Sequence, residues 1–202
     1  MNYGDLKSSF TSILNRRDIT ANQITLFMDM GTRRIQRSLR VPPMERLYVH
    51  TSDGSGVIPV PTDLLQIISI SMNASSYSHR LIKSDLETIL AYQVTSDNPK
   101  FYCRSGSGWL IGPKAPADAV IHVRYYGEFE PLTTDNSVNW LTLACPDLLL
   151  YSALTFSSDY FLDDRKSIFE ARFVQIMDEL MLQDFNDELE GGSIGLRSYE
   201  DD

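Results

Sequence analysis

The sequence predicts an α+β chain: a predominantly helical bundle with a β-rich insertion lobe and a flexible C-terminal tail. Three observations carry this. Apolar residues recur at helical spacing before residue 40 and again after residue 146, short period-two runs punctuated by Gly, Pro and Ser fill the middle, and a polar stretch follows Gly191-Gly192. At 202 residues, 43% of them hydrophobic, the chain can bury about 70% of its unfolded surface without a disulfide or metal staple. The expected organisation is N-terminal helices over 1–44, a β-rich lobe with one short helix over 45–132, C-terminal helices completing the bundle over 133–190, and an extended tail over 191–202.

The first helix is expected over 5–15, where Leu6, Phe10, Ile13 and Leu14 share a face, and Arg16-Arg17-Asp18 ends it. Thr20 offers an N-cap hydroxyl to a second helix whose apolar stripe is Ile24, Phe27, Met28, Gly31, Ile35 and Leu39, stopped by Pro42-Pro43. Its opposite side carries Arg33, Arg37 and Arg40 at i, i+4, i+7, read as one continuous basic strip.

From Glu45 the pattern turns to strands. Leu47-Tyr48-Val49, Val57-Ile58-Pro59-Val60 and 65–72 read as strands, with Ser52-Asp53-Gly54-Ser55-Gly56 as a hairpin turn between the first two. Ser84-Asp85-Leu86-Glu87 reads as a capping box with Ser84 at the N-cap of a short helix. Phe101-Tyr102-Cys103, Gly108-Trp109-Leu110-Ile111 and 119–126 form a second strand group. In the last of these, Val120, His122 and Arg124 alternate with Ile121, Val123 and Tyr125, the mark of a strand with one buried face.

Pro146 suits the first position of a helix, and 147–162 is apolar almost all round, which predicts burial on several sides. A final helix over 165–189, almost 40 Å long at ~1.5 Å per residue, presents Phe169, Phe173, Ile176 and Leu180, with Ile168, Met177 and Met181 widening the stripe. Gly191-Gly192 stops it.

The net charge of -9 is unevenly spread: residues 1–50 carry +4, 51–144 carry -3 and 145–202 carry -10. A basic front and an acidic back can pair within a subunit or between subunits. The strip of Arg33, Arg37 and Arg40 is therefore matched with Asp178, Glu179 and Asp184 of the final helix as a subunit contact.

Nothing in the pattern points to catalysis. His50, His79 and His122 fall in unrelated segments, outside any HExxH or His/Cys ligand spacing, and the glycines of 54–56 and 106–108 extend to neither a P-loop nor a GxSxG elbow. Cys103 and Cys145 lack CxxC spacing, and the longest apolar runs fall far short of the ~20 residues of a membrane span. The expectation is a non-enzymatic cytoplasmic product with reduced thiols, no cofactor and no metal.

Several pieces recur in one order: Ile13-Leu14-Asn15-Arg16-Arg17-Asp18-Ile19-Thr20, Gly31-Thr32-Arg33-Arg34-Ile35-Gln36-Arg37-Ser38-Leu39-Arg40, Met44-Glu45 and Ile58-Pro59-Val60-Pro61-Thr62-Asp63-Leu64-Leu65. Asn98-Pro99-Lys100-Phe101-Tyr102, Trp109-Leu110-Ile111-Gly112-Pro113 with Pro116, Val123-Arg124-Tyr125-Tyr126, Pro131-Leu132 and Cys145-Pro146-Asp147-Leu148-Leu149-Leu150-Tyr151 follow. In this order the chain resembles the head-to-tail adaptor (connector) proteins of tailed bacteriophages across nearly its whole length. One departure is Asn98-Pro99 where the resemblance leads one to expect Gly-Pro.

The resemblance implies a structural virion protein: a ring of twelve subunits beneath the portal protein, a channel for genome DNA that is not bound sequence-specifically, and an attachment surface for tail or stopper proteins. It also implies a C-terminal arm that grips the portal, here Gly191 and Gly192 as the exit and Ile194, Leu196 and Tyr199 as anchors. A tail-completion protein is the alternative within the virion. A nucleic-acid-binding protein using Arg33, Arg37 and Arg40 is the alternative outside it.

Overall fold

The computed structural model describes all residues except 75–76, 93–97, 135 and 192–202. The chain divides into two compact units, Met1–Pro43 together with Phe129 onward, and Met44–Glu128. The first is helical. α1 (Tyr3–Leu14) is capped by Asn2, whose side chain accepts from the Asp5 amide while Asp5 reaches back to the Asn2 N–H. α2 (Ala21–Ser38) opens on the same reciprocal box between Thr20 and Gln23. α4 (Trp140–Ala144) is a single turn capped by Asn139, and it has too few residues to show a period in the sequence. α5 (Pro146–Tyr160) begins with proline, and α6 (Lys166–Gly191) is the longest helix.

α5 is the hub of this unit. Leu148, Leu149, Ala153 and Leu154 are fully buried, and α1, α2, α4 and α6 all pack against it, so its apolar circumference is used on several sides as expected. The expected stripe of α2 is also buried at Phe27, Met28, Gly31, Ile35 and Leu39. That of α6 is narrower than expected. Phe169, Phe173 and Met177 are buried, but Ile168 and Met181 are exposed at 60% and 40%, because one neighbouring helix covers only a narrow arc.

The second unit is a sandwich of two four-stranded sheets. The first runs β1-β8-β3-β4, built from β1 (Glu45–Thr51), β8 (Val120–Gly127), β3 (Leu64–Ala74) and β4 (Tyr77–Arg80), all antiparallel. The second runs β2-β7-β6-β5, from β2 (Val57–Pro59), β7 (Gly108–Gly112), β6 (Phe101–Ser105) and β5 (Ile82–Lys83), with β5 and β6 parallel. Ile70, Met72, Ile121, Val123 and Tyr125 from one sheet meet Ile58, Tyr102, Trp109 and Ile111 from the other in a single apolar core. The alternation read in β8 holds, with Ile121, Val123 and Tyr125 buried. α3 (Leu86–Tyr92) packs on β6 and β7 through Ile89.

This overturns the expectation of a predominantly helical bundle. The chain is mixed, 46% helix and 24% strand, with six helices and two sheets among the described residues. The physical reason is that the β segment closes an interior of its own between two sheets, which period-two runs alone do not reveal. For the same reason Ser52–Gly56 is no hairpin: β1 and β2 belong to different sheets, so this segment is a crossover, with Gly54 and Gly56 at positive φ. The cap of α3 also differs. Asp85, not Ser84, accepts from the Thr88 amide and hydroxyl, while the Ser84 N–H is used by Tyr102 across the sheet.

Candidate assembly site

α2 and α6 present the charged surfaces that the sequence singled out. Arg33 and Arg37 are exposed, on the side of α2 away from the buried stripe, and neither has an ion-pair or hydrogen-bond partner among the described residues. Arg40 does not extend their strip. It lies beyond the end of α2, and its Nη1 donates to the carbonyl oxygens of Gln36 (2.8 Å) and Leu39 (2.6 Å). A cation there satisfies carbonyls that the helix leaves open and offsets the negative end of its dipole.

The arginine that the sequence reading passed over is Arg34. It makes a two-pronged contact with Glu170 on α6, 2.8 and 2.5 Å, and its guanidinium lies 3.9 Å from the Phe173 ring centroid. The hydrogen bonds from Arg34 hold the Glu170 carboxyl below its ordinary range. The available signal was position: Arg34 follows the buried Gly31 by three residues and Glu170 adjoins the buried Phe169, so each charge borders a covered face.

On α6, Asp178 is exposed and without a partner among the described residues, and exposed Glu179 accepts from Gln175 Nε2 at 2.9 Å. Asp184 belongs to α6, but its side chain lies outside the described residues, as do Gly192, Ile194, Leu196 and Tyr199 of the tail. Gly191 is the last residue of α6. Within the subunit, therefore, the described carboxylates of α6 are not joined to Arg33 or Arg37.

A second polar junction fixes α1 against the start of α6. Arg165 donates to the last carbonyls of α1, Ile13 at 3.0 Å and Leu14 at 2.9 Å, and to Asp163 Oδ2 at 2.6 Å. The Arg165 hydrogen bonds lower the Asp163 pKa to about 2. Arg165 thus closes the open end of one helix while anchoring the first turn of another.

The thiols have no reactive setting. Cys103 and Cys145 are buried, and burial raises both, Cys145 to about 12 with help from Asp147. His50 stacks on Tyr48, and His79 Nε2 lies 2.5 Å from the Pro99 carbonyl oxygen. No cluster of three or more His, Cys, Asp or Glu able to hold a metal ion occurs among the described residues. A cleft of about 500 Å³ lined by Ser8, Thr11, Ser12, Asn15, Arg16 and Arg17 opens at the C-terminal, electronegative end of α1. Its Arg16 is engaged by Asp18 at 2.7 Å and lies over the Phe161 ring. No helix among the described residues is long and apolar enough to cross a membrane.

Over residues 1–193 the chain matches the SU10 adaptor protein family. The chain belongs to that family. The match takes in both compact units and supports the resemblance to phage head-to-tail adaptors. The adaptor is a structural protein of the phage virion, and its family implies association with portal and tail components. No curated protein matches the adaptor's sequence.

Proposed function

We propose that the adaptor assembles as a ring of twelve copies beneath the portal, joins capsid to tail, and surrounds a channel through which genome DNA passes without sequence-specific binding. Tail or stopper proteins attach to its far side, and assembly takes place in the host cytoplasm. The observation that carries this reading is that Arg33 and Arg37 stand exposed and unpaired among the described residues while neighbouring Arg34 is consumed by Glu170. Exposed cations not joined to the described carboxylates of α6 are available to a neighbour. The net charge of -9 suits a channel, since a surface that repels phosphate lets DNA slide, whereas a basic wall holds it through counterion release.

The C-terminal arm of this reading starts at Gly191 and Gly192 and uses Ile194, Leu196 and Tyr199 as portal anchors. Eleven extended residues reach ~35–40 Å, far enough to leave the subunit that bears them. Contacts that are largely polar favour assembly on a template, so the purified adaptor should sediment as a monomer or weak oligomer alone and as a ring with portal. A stable monomer that ignores portal at every salt concentration overturns the proposal.

A further inference from the structure

The outer face of α2 is not uniformly basic. Leu26, Met30, Arg33 and Arg37 follow one another at steps of four, three and four residues, so they form a single straight stripe ~16 Å long. Leu26 and Met30 are 54% and 37% exposed, and the arginines are exposed beyond them. The stripe is thus apolar at its N-terminal half and cationic at its C-terminal half. A phosphate backbone would leave Leu26 and Met30 without a counterpart, which argues against nucleic acid as the occupant.

The outer face of α6 begins apolar and carries an acid at Asp178 before turning apolar again at Met181. Ala171, Val174, Asp178 and Met181 are spaced by three, four and three residues and are all exposed, with Leu182 beside them at 62%. Seven residues separate Leu26 from Arg33 and seven separate Ala171 from Asp178. Laid parallel in that register, Leu26 meets Ala171 and Arg33 meets Asp178 beside Glu179, while Arg37 lies level with Leu182. Inside one subunit these faces cannot meet, because α2 and α6 use their inner sides on α5 and are joined there by Arg34 and Glu170.

We infer that the outer face of α2 in one copy docks on the outer face of α6 in a second copy of this chain. This deepens the ring reading and rests on it for closure. The two patches are different, so the contact is head to tail, and a head-to-tail contact propagates into a ring or filament rather than closing as a pair. Each contact uses both an apolar anchor and a charge pair, so it weakens, without vanishing, as salt rises.

The test uses the full chain with Arg33→Cys in one preparation and Asp178→Cys in another, treated with a short bismaleimide at high protein concentration and again on portal. The native thiols, 6% and 4% exposed, are shielded from the reagent. Each variant alone should stay uncrosslinked, their mixture should give a dimer, and a chain bearing both substitutions should give a ladder. Homotypic products as abundant as the mixed one overturn the inference. So does a mixed product no greater than that from Ser12→Cys with Asp178→Cys. Ring formation on portal without the crosslink removes this contact and leaves the ring reading standing. A crosslink without portal binding supports the contact and removes the ring beneath the portal.

Discussion

Gly31 on α2 and Ser152 on α5 meet backbone to side chain: the Ser152 hydroxyl donates to the Gly31 carbonyl oxygen at 3.3 Å. A β-carbon at Gly31 would stand 3.1 Å from the Ala153 backbone nitrogen and 3.4 Å from Ser152 Cβ. The two helices cross this closely only because position 31 has no side chain. Gly31→Ala is expected to be near neutral or mildly destabilising, since a helix-propensity gain of ~1 kcal/mol opposes a contact with backbone that cannot rotate away. Gly31→Leu should cost about 1–3 kcal/mol, read as a lower midpoint in urea unfolding. Unchanged stability of the leucine variant would show that the crossing opens freely.

Asp163 sets a pH dependence. Its folded pKa of about 2 lies below the ordinary 3.8, so its contribution is fully present above pH 3.8 and is lost as pH falls through about 2. Asp163→Asn should be destabilised by roughly 1–2 kcal/mol at neutral pH after discounting for solvent screening, with the deficit shrinking toward pH 2. Thermal melts of both proteins from pH 2 to pH 7 measure it. A deficit independent of pH would assign the effect to something other than the carboxylate charge.

Charge reversal at Arg37 should weaken ring assembly on portal, with partial rescue when Asp178 or Glu179 is reversed in the same chain. Circular dichroism of the variant should be unchanged, because Arg37 is exposed and unpartnered among the described residues. Rings that form normally while DNA passage slows would move Arg37 from a subunit contact to the channel.

Truncation after Glu190 removes Gly191 and the arm with Ile194, Leu196 and Tyr199. The shortened chain should fold, since among the described residues the last buried one of α6 is Met177, and it should no longer bind portal. Portal capture undiminished by the truncation would refute the arm.

The sequence by itself determined the helices with a period and a cap. Thr20 starts α2, Pro146 starts α5, and the apolar circumference of α5 foretells its central place, because caps and amphipathic stripes are local interactions written over a few turns. It also determined the strand character of β8 and the family, since an ordered set of motifs survives without knowledge of packing. Tertiary structure alone decided which strands share a sheet, and so turned Ser52–Gly56 from a hairpin into a crossover and the expected helical bundle into a mixed fold. It alone decided which arginine is spent: Arg34 meets Glu170 from 136 residues away, Arg40 turns back onto its own helix end, and Arg33 and Arg37 are left outward. Partners distant in the chain leave no periodic trace, because what selects them is the packing of α2 and α6 on α5, not the spacing within either helix.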